Sequence, residues 1–410
     1  MQNILLLGHG ISNNALHQFM IKYNINHDYL RLDEIDNYEY NLVIKGPGIF
    51  YQEEVIQKFI ALGKTIITDI EFIYWFLSRD YIAVTASAGK TSTVLLIESI
   101  INTTYSAISC GNIGYPIAQA ALDYKKYQYF VLELSSFELK GTINFAPKFA
   151  IILNLGKHHL DYHETLEDYY HSKFMITANQ TEEDYLIYNK DDLDVVKLVG
   201  DSKAKKISFS LNDKKADAYI KHHTFYYHDE AIISFKKCSN SMQYNILASI
   251  IVGKLLGIHN YRIKQAIMKF KPPIYRLEDM GNKIINDAKS TSVLATISAL
   301  KTFNKEKIFL ICGGYDRGEP LDELDNYLKN ISFVFAYGEA KEKLKTYFAS
   351  RNIKVETYDN LLSATQTALK LRKKELILYS PMHASYDQYQ SYQERGKAFR
   401  EYIKSYYGRR

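Results

Sequence analysis

The sequence of 410 residues contains few cysteines, few prolines and a single tryptophan. Its 3 cysteines, Cys110, Cys238 and Cys312, are far apart and form no CxxC pair. This spacing indicates neither a disulfide framework nor a zinc site, so we expect a reducing, cytoplasmic environment. With 7 prolines and 20 glycines, the composition also excludes a collagen-like chain.

Long apolar runs are also missing from the sequence. The apolar segment near the start is short and has no basic flank, so it does not indicate a signal peptide. The most apolar helical window, residues 244–258, is interrupted by Lys254 and falls short of the ~20 residues that span a bilayer. We therefore expect a soluble protein with no membrane partner.

Charge of one sign is not in large excess, because 51 basic side chains stand against 46 acidic ones. A net charge of +5 over this length is a weak argument for nucleic-acid binding, and we expect no such partner. Hydrophobic residues at 47% and charged residues at 24% exclude a disordered chain. The 35 tyrosines indicate either a mutational bias of the genome or a stacking surface.

Short apolar strands alternate with amphipathic helical stretches, which is typical of α/β domains with mostly parallel sheets. We predict three domains, covering residues 1–79, 80–272 and 273–410. The outer two are expected to be Rossmann-like, and the central one to be a mononucleotide-binding sheet with a P-loop. Lys271-Pro272-Pro273 cannot continue a helix and is predicted to be a linker. Predicted strands cover residues 3–7, 41–45, 65–68, 81–85, 130–134, 149–154, 307–312, 332–336 and 375–380.

The strongest local motif is TASAGKTS at residues 85–92, between an apolar strand and a helix. A phosphate-binding loop needs small residues, a lysine and a Ser or Thr hydroxyl for magnesium at a helix N-terminus. Gly89, Lys90 and Thr91 meet these needs, although Val84 stands where the strict pattern has glycine. The alternative is a solvated turn, which the strand–loop–helix context disfavours.

Two further features predict a metal near this loop. Glu133 ends a buried strand, where a carboxylate faces the ligand crevice of an α/β sheet, although a water-exposed strand end is an open alternative. Four histidines follow at positions 158, 159, 163 and 171. Their spacing matches no standard zinc pattern, so one histidine on magnesium is favoured over zinc.

Several other strand-to-helix turns are candidate binding loops. The turn at residues 8–12, GHGIS, resembles a dinucleotide-binding turn, but a plain tight turn is nearly as good an interpretation. In the last domain such turns occur at residues 286–291, 313–318 and 380–385. Each alone is typical of an ordinary loop, whereas three in one domain indicate a common crevice.

In this order the motifs resemble those of the Mur ligase family, over nearly the whole chain. The resemblance rests on TASAGKTS, on CGNIGYP at 110–116, on ELSSFEL at 133–139 and on NLGKHHLDYH at 154–163. YRLE at 275–278 resembles a further motif, and three elements resemble the D-glutamate-adding type: INDAKSTS at 285–292, GGYDRG at 313–318 and SPMHASYDQY at 380–389. The chain departs from the family pattern at Ala86, Ala88, Glu138, His158, Tyr162 and Arg317.

The resemblance implies an ATP-dependent amide ligase of class EC 6.3.2 in peptidoglycan precursor synthesis. ATP would phosphorylate the carboxylate of UDP-N-acetylmuramoyl-L-alanine, and the amine of D-glutamate would attack the acyl phosphate. In order along the chain, the domains would bind the UDP-sugar, ATP and the amino acid. A cytoplasmic monomer with two magnesium ions is expected, and Lys173 is expected to be carbamylated.

The resemblance also implies a set of site residues. Catalytic roles fall on Lys90, His159 and Lys173. The nucleotide-binding residues are Ser87, Ala88, Gly89, Lys90, Thr91, Ser92, Asn245, Arg276 and Asp287. Magnesium would be held by Thr91, Glu133, His159 and Lys173. The UDP-substrate would contact Ile11, Ser12, Gly48, Asn112, Ser135 and Glu138, and D-glutamate would contact Lys289, Thr291, Arg317, Ser385 and Tyr392.

Closure of the last domain is also implied, with hinges predicted near Pro272 and before Tyr81. The alternatives are another Mur-type ligase, a folylpolyglutamate ligase, or a nucleotide switch that is not a ligase. The GHG turn and the SPMHAS run disfavour the folate enzyme. A switch would not need the cluster of Lys289, Arg317 and Ser385.

Overall fold

A computed structural model describes residues 3–156, 163, 165–235, 239–271 and 273–408 of the chain. Two compact units make up the molecule, Met1–Phe270 and Lys271–Arg410. The first unit begins with a parallel sheet of four strands in the order β2-β1-β3-β4. Its elements are β1 (Ile4–Leu7), α1 (Ile11–Lys22), β2 (Asp28–Leu30), β3 (Leu42–Lys45), α2 (Glu54–Ala61), β4 (Thr65–Ile67) and α3 (Asp69–Phe76).

A sheet of nine strands follows, in the order β13-β12-β11-β10-β9-β8-β5-β7-β6. It is parallel except at its β11-β12-β13 edge, which is antiparallel. Its elements are β5 (Tyr81–Thr85), α4 (Lys90–Ile101), β6 (Ala107–Gly111), α5 (Ile117–Leu122), β7 (Tyr129–Glu133), α6 (Ser136–Leu139), β8 (Phe149–Ile152), α7 (Leu166–Phe174), β9 (Tyr185–Asn189), α8 (Leu193–Leu198), β10 (Lys205–Ser210), β11 (Ala218–Lys221), β12 (Thr224–Tyr227), β13 (Glu230–Ser234), α9 (Asn240–Leu255) and α10 (Asn260–Lys269).

The central strands are apolar along their whole length because helices cover both faces of a parallel sheet. All five residues of β5, YIAVT, are buried, and so are all four of β8, FAII. One hydrophobic core lies between α4, α9 and the sheet, with Val94 and Ile97 facing Ile250 and Ile251. This packing fixes the start of α4, and therefore the loop before it, at the carboxyl end of β5.

The sheet of four strands and the sheet of nine strands share a second hydrophobic core. Leu16 and Phe19 of α1 belong to the same buried cluster as Ile117 and Ala121 of α5. A polar contact adds to this core, because the carboxylate of Glu71 in α3 accepts the backbone N–H groups of residues 143, 144 and 145. The first unit is therefore continuous from its first strand to α10.

The second unit has one sheet of six strands in the order β14-β15-β19-β16-β17-β18, with only the β14-β15 pair antiparallel. Separate apolar clusters cover the two faces of this sheet. Its elements are β14 (Glu278–Asp279), β15 (Ile284–Asn286), α11 (Val293–Thr302), β16 (Ile308–Gly313), β17 (Ile331–Tyr337), α12 (Lys341–Ala349), β18 (Val355–Tyr358), α13 (Leu361–Leu371), β19 (Leu376–Met382) and α14 (Tyr392–Gly408).

The α/β class with three mostly parallel sheets is confirmed. The predicted strand at 81–85 coincides with β5, and the other predicted strands overlap observed ones. The three-domain boundaries and the hinges at Pro272 and Tyr81 stay predictions, and Pro272 lies outside the described residues. Across the described ranges, every helix is too short or too polar to cross a lipid bilayer.

Candidate active site

The loop between β5 and α4 places a glycine directly against α9. Gly89 has a φ of +90° at the N-cap of α4, a conformation that favours glycine. A Cβ atom on Gly89 would lie 2.9 Å from Oδ1 of Asn245. The structure therefore brings together two of the predicted nucleotide-binding residues that are far apart in sequence. The other predicted nucleotide-binding residues of this loop lie beside Gly89: Ser87 and Ala88 precede it, and Lys90, Thr91 and Ser92 form the first turn of α4.

The side chain of Asn154, just after β8, clamps this loop by both of its polar atoms. Its Oδ1 accepts the backbone N–H of Ala88 at 2.8 Å, and its Nδ2 donates to the carbonyl of Ala88 at 2.9 Å. Its own carbonyl accepts the N–H of Ser87 at 3.0 Å. Sequence reasoning assigned Asn154 no role, although it begins the NLGK motif.

Helix α7 is tied to the same loop through Ser87. The Ser87 Oγ accepts the N–H of Gly156 at 2.8 Å and lies 3.1 Å from the hydroxyl of Tyr169. Tyr169 is buried, and burial raises its pKa to about 12, so the hydroxyl keeps its proton. Tyr169 is a second functional candidate that the sequence did not indicate.

Two lysine side chains converge on one carbonyl at the base of the loop. Lys90 Nζ donates to the carbonyl of Ala86 at 2.7 Å, and Lys173 Nζ donates to the same oxygen at 3.1 Å. Burial, and then the charge of Lys90, hold the pKa of Lys173 well below its ordinary value. The predicted catalytic lysines thus lie together, and the lowered pKa of Lys173 shifts its amine toward the neutral form.

Two buried oxygen atoms beside the loop have no hydrogen-bond partner among the described residues. They are Oγ1 of Thr91 and Oε2 of Glu133. Glu133 ends β7 opposite Val84 of the neighbouring strand β5, so both oxygens belong to the same edge of the sheet. Hydroxyl and carboxylate oxygens are the ligands that Mg²⁺ prefers, and a buried oxygen without a partner is costly unless a ligand satisfies it. Thr91 and Glu133 therefore fit a magnesium ion.

His158 and His159, the latter a predicted metal ligand, lie outside the described residues, as does Tyr162. Within the described ranges, no cluster of three or more His, Cys, Asp or Glu side chains has the arrangement of a metal site.

The residues predicted to contact the UDP-sugar lie at the carboxyl ends of parallel strands. Ile11 is 73% exposed at the start of α1, after β1, and Ser12 is half-buried beside it. Gly48 is exposed in the turn after β3. Asn112 is exposed after β6, and its N–H donates to the carbonyl of Glu133 at 2.9 Å. This is the edge at which open α/β sheets bind ligands.

Ser135 and Glu138 form a capping box at the start of α6 instead of two free ligand groups. Glu138 Oε2 accepts the N–H and the hydroxyl of Ser135, both at 2.7 Å. Burial, and then the charge of Asp69, raise the pKa of Glu138 to about 8. The S-x-x-E spacing at residues 135–138 is the sequence signal from which this capping box could have been predicted.

In the second unit, the predicted D-glutamate residues surround two turns. Lys289 Nζ lies 5.9 Å from the ring centroid of Tyr392, and the Lys289 N–H donates to the carbonyl of Tyr275. Arg317 is exposed, with its Cζ 5.6 Å from the ring centroid of Tyr386. The buried Ser385 directly precedes Tyr386. Thr291, half-buried, lies two residues before α11.

A buried arginine that sequence reasoning gave no role holds these turns together. Arg395 is fully buried and donates to the carbonyls of His383 and Ala384, both at 2.9 Å. It also donates to the carbonyl of Ala288 at 3.3 Å. Because these carbonyls directly precede Lys289 and Ser385, Arg395 fixes the backbone at both positions.

Asp287, a predicted nucleotide ligand, has its carboxylate engaged within its own unit. It accepts the hydroxyls of Ser380, at 2.9 Å, and Ser290, and the N–H of Leu277 at 3.1 Å. Burial raises its pKa to about 6, whereas the charge of Arg276 lowers it. Arg276 itself is half-buried. The observed role of Asp287 is to brace β15, β19 and the turn at 277.

Comparisons with known proteins agree with this fold and site. The Mur ligase middle domain matches residues 84–261. The UDP-N-acetylmuramoylalanine–D-glutamate ligase of Oenococcus oeni is 34% identical, covering 98% of this chain and 97% of the relative. The ligase of the same name from Shouchella clausii is 37% identical, covering 88% of this chain and 82% of the relative. The MurF ligase of Thermotoga maritima, solved with ADP, has a TM-score of 0.62 at 16% identity, covering 99% and 96% of the two chains.

These similarities define the class of protein: the chain belongs to the Mur ligase family. The three parallel-rich sheets agree with this, as does the loop of residues 85–92 between β5 and α4, called the phosphate loop below. Within that family it is a ligase of the UDP-N-acetylmuramoylalanine–D-glutamate type.

Proposed function

We propose that this chain uses ATP to join D-glutamate to UDP-N-acetylmuramoyl-L-alanine through an acyl phosphate. The observation that carries the proposal is the loop that leads into α4 with Gly89 and Lys90, together with the buried oxygens of Thr91 and Glu133, which have no partner among the described residues. An acyl phosphate needs a site that cancels the repulsion between ATP and an anionic carboxylate. Lys90 supplies a positive charge, the start of α4 supplies N–H groups, and Thr91 and Glu133 supply oxygen ligands for a metal ion.

Binding of the ATP phosphates falls to the start of α4. The N–H groups of the first helical turn and the helix dipole favour an anion there. In this proposal, the Lys90 ammonium leaves the Ala86 carbonyl and contacts the phosphates as a point charge. Asn154 and Ser87 keep the loop open through their hydrogen bonds to its backbone and to Gly156.

Thr91 and Glu133 are proposed to hold one magnesium ion, and His159 and Lys173 a second. A bound magnesium ion supplies charge neutralisation for the phosphates and the substrate carboxylate. As an ammonium, Lys173 would repel a cation, so we propose that it is carbamylated. Its neutral amine nitrogen attacks carbon dioxide and loses a proton, which leaves an anionic carbamate. The depressed pKa of Lys173 supports this step because only the neutral amine is nucleophilic.

D-Glutamate is proposed to bind in the second unit. Lys289 and Arg317 would take its two carboxylates, and Thr291, Ser385 and Tyr392 would complete the pocket. The guanidinium fork of Arg317 suits bidentate carboxylate binding. The UDP-sugar would lie along Ile11, Ser12, Gly48 and Asn112 and end near Ser135. ATP and a UDP-linked sugar are substrates of the cytoplasm, and the monomeric state stays a prediction.

Phosphate release under omission of single substrates tests the proposal. We expect phosphate only when ATP, UDP-N-acetylmuramoyl-L-alanine and D-glutamate are present together. Release with ATP alone would favour a nucleotide switch, and dependence on a folate would favour a folylpolyglutamate ligase. A Lys90→Met variant should lose the activity, whereas Lys58→Met, at an exposed position of α2, should keep it.

A further inference from the structure

Four side chains beside the phosphate loop form one hydrogen-bonded chain. Ser136 Oγ lies 2.9 Å from Nε2 of His163, and Nδ1 of His163 lies 3.0 Å from Oδ2 of Asp168. Lys140 Nζ donates to both oxygens of Asp168, at 3.0 Å and 2.7 Å. Ser136 and His163 are each 1% exposed. None of these four residues has a role in the chemistry proposed above.

The order Ser–His–Asp is that of a serine nucleophile, but the surroundings exclude this role. The hydroxyl of a nucleophilic serine must reach a substrate carbonyl, and Ser136 is buried at the start of α6. Asp168 is already neutralised by Lys140, so it gains little by stabilising an imidazolium. These hydrogen bonds therefore hold side chains and helices in place, and Ser136 does not act as a nucleophile.

These hydrogen bonds join α6, which begins three residues after the proposed metal ligand Glu133, to α7, which carries the proposed ligand Lys173. Ser136 begins α6, directly after β7 and its Glu133. Asp168 lies in α7, the helix that carries Lys173. His163 follows His159 by four positions in the sequence. His163 thus bridges the start of α6 and helix α7, and the Lys140–Asp168 ion pair joins the other end of α6 to α7.

Packing holds the imidazole in one orientation. The ring of His163 stacks on Phe137 at 5.8 Å between centroids, with 16° between the planes. The ring of Tyr169 meets it edge-on at 5.3 Å. With the ring fixed, the neutral form has one arrangement that satisfies both neighbours: Nδ1–H donates to Asp168, and Nε2 accepts the hydroxyl of Ser136.

We propose that His163 is a positioning residue, which in its neutral Nδ1–H form holds α6 and α7 together so that Glu133 and Lys173 are aligned for the ligase reaction. This role rests on the proposed function. Protonation would place a second N–H against Ser136, whose hydroxyl would then have to turn and accept this hydrogen bond instead of donating it. Burial, together with the charges of Lys140 and Lys173, outweighs the opposing effect of Asp168 and lowers the pKa of His163, which favours the neutral form.

Two variants and one control test this role. Ser136→Ala removes the donor to Nε2 with little change in volume, and His163→Phe removes both hydrogen bonds. His171→Gln is the matched control, because His171 is an exposed histidine on the same helix α7. We expect kcat to fall about 10- to 100-fold in both test variants, with the KM for ATP little changed, as for residues that orient metal ligands. The control should match the wild type.

A spectroscopic measurement separates positioning from simple packing. Nitrogen-15 NMR of the metal-free, full-length protein should show His163 as the neutral Nδ1–H tautomer, assigned by the signal that His163→Phe loses. In Ser136→Ala, loss of the donor to Nε2 should raise the pKa of His163 and move the acid limb of kcat to higher pH. Should His163→Phe fail to fold, Ser136→Ala identifies the signal by its shift.

An Nε2–H tautomer would overturn the proposal, and so would a Ser136→Ala variant with the kcat and pH profile of the wild type. A lowered melting temperature without a kinetic change would likewise reduce His163 to a packing role. Failure of the proposed function would give a different result. The wild-type protein would then release no phosphate that depends on D-glutamate, whichever tautomer His163 adopts. The positioning role of His163 would be contradicted at the same time.

Discussion

At the phosphate loop, the side chains differ in whether their polar atoms are already hydrogen-bonded within the protein. Asn154 and Ser87 are bonded to the backbone of the loop or of Gly156. Thr91 Oγ1 and Glu133 Oε2 have no partner in the described part of the chain. A buried polar atom without a partner costs roughly 1–3 kcal/mol. The first group therefore shapes the loop, and the second is the pair of oxygens proposed to bind magnesium.

Asn154→Ala tests the contribution of the clamp to nucleotide binding. The change leaves the N–H and carbonyl of Ala88 without their side-chain partner, so the loop should lose its fixed shape. We expect kcat/KM for ATP to fall by about 10- to 100-fold, equivalent to roughly 1.4–2.8 kcal/mol. Steady-state kinetics measure this, with Asn37→Ala, at an exposed loop position, as the control. Unchanged kcat/KM would contradict the clamp.

Glu138→Gln should stabilise the protein in a pH-dependent way. The folded-state pKa of Glu138, about 8, lies above the ordinary 4.5, so folding favours the protonated acid. Below the ordinary value both states are protonated. As pH rises toward 8, the unfolded chain ionises first, and stability is lost by up to about 1.4 kcal/mol per pH unit. Glutamine cannot ionise and avoids this loss.

Urea unfolding at about pH 5 and about pH 8 gives the free energy of unfolding of the wild type and of Glu138→Gln at each pH. We expect the gain of Glu138→Gln over the wild type to be larger at the higher pH. Glu182→Gln, at an exposed position, should show no such difference. A gain that is equal at both pH values would show that Glu138 is ionised in the folded protein.

Among the elements, α9 depends on close packing at a glycine. A Cβ atom on Gly253 would lie 2.9 Å from Cγ2 of Ile100 and 3.1 Å from Cδ1 of Ile263. Helices α4, α9 and α10 therefore meet at this residue. Because Asn245 lies in α9 and the loop ending at Gly89 leads into α4, the spacing of these helices positions the proposed nucleotide site.

Gly253→Ala should destabilise the protein although alanine is the better helix former. The propensity gain is about 1 kcal/mol, whereas overpacking of a core costs typically 1–3 kcal/mol. We expect a net loss of about 1 kcal/mol, read from the urea midpoint at constant slope. Gly200→Ala is the control, since nothing lies within 4 Å of its Cβ position. A more stable Gly253→Ala variant would contradict the packing argument.

The apolar strands and the phosphate loop could be predicted from the sequence because each depends on local pattern. The strand at 81–85 and the glycine at position 89 are examples, since a buried parallel strand is apolar throughout and the turn needs a positive φ. Asn154, Tyr169 and Arg395 could not be found in this way. Their roles depend on contacts with distant backbone atoms, which no local pattern encodes. The excess of tyrosine stays compatible with compositional drift, because buried tyrosines such as Tyr81 and Tyr337 pack in cores.

At the scale of the molecule, the chain divides between Phe270 and Lys271, and the first unit is continuous across residue 79. Arg79 is held there: its Nη1 donates to the carbonyl of Tyr127 at 2.5 Å, and its Cζ lies 4.9 Å from the ring centroid of Phe130. Lys269, by contrast, is exposed at the end of α10. These two basic residues are therefore unequal targets for a protease.

Limited digestion with trypsin should produce early fragments that end at Lys269, because exposed chain near a boundary between units is cut first. No early fragment should end at Arg79, since cleavage there requires opening of a shared core. Mass spectrometry of the fragments over time measures this. Early release of an intact fragment of residues 1–79 would contradict a core shared by the first two sheets. It would favour the predicted domain boundary between residues 79 and 80.

At the loop before α4, we propose that the γ-phosphate of ATP is transferred to the carboxylate of UDP-N-acetylmuramoyl-L-alanine. Substrate whose alanyl carboxylate carries a heavy oxygen isotope tests it most directly. We predict that each ligation with D-glutamate moves one heavy oxygen atom into the released phosphate, because the carboxylate oxygen becomes the bridge of the acyl phosphate. Phosphate that forms without the label would contradict the account and show that ATP is hydrolysed by water.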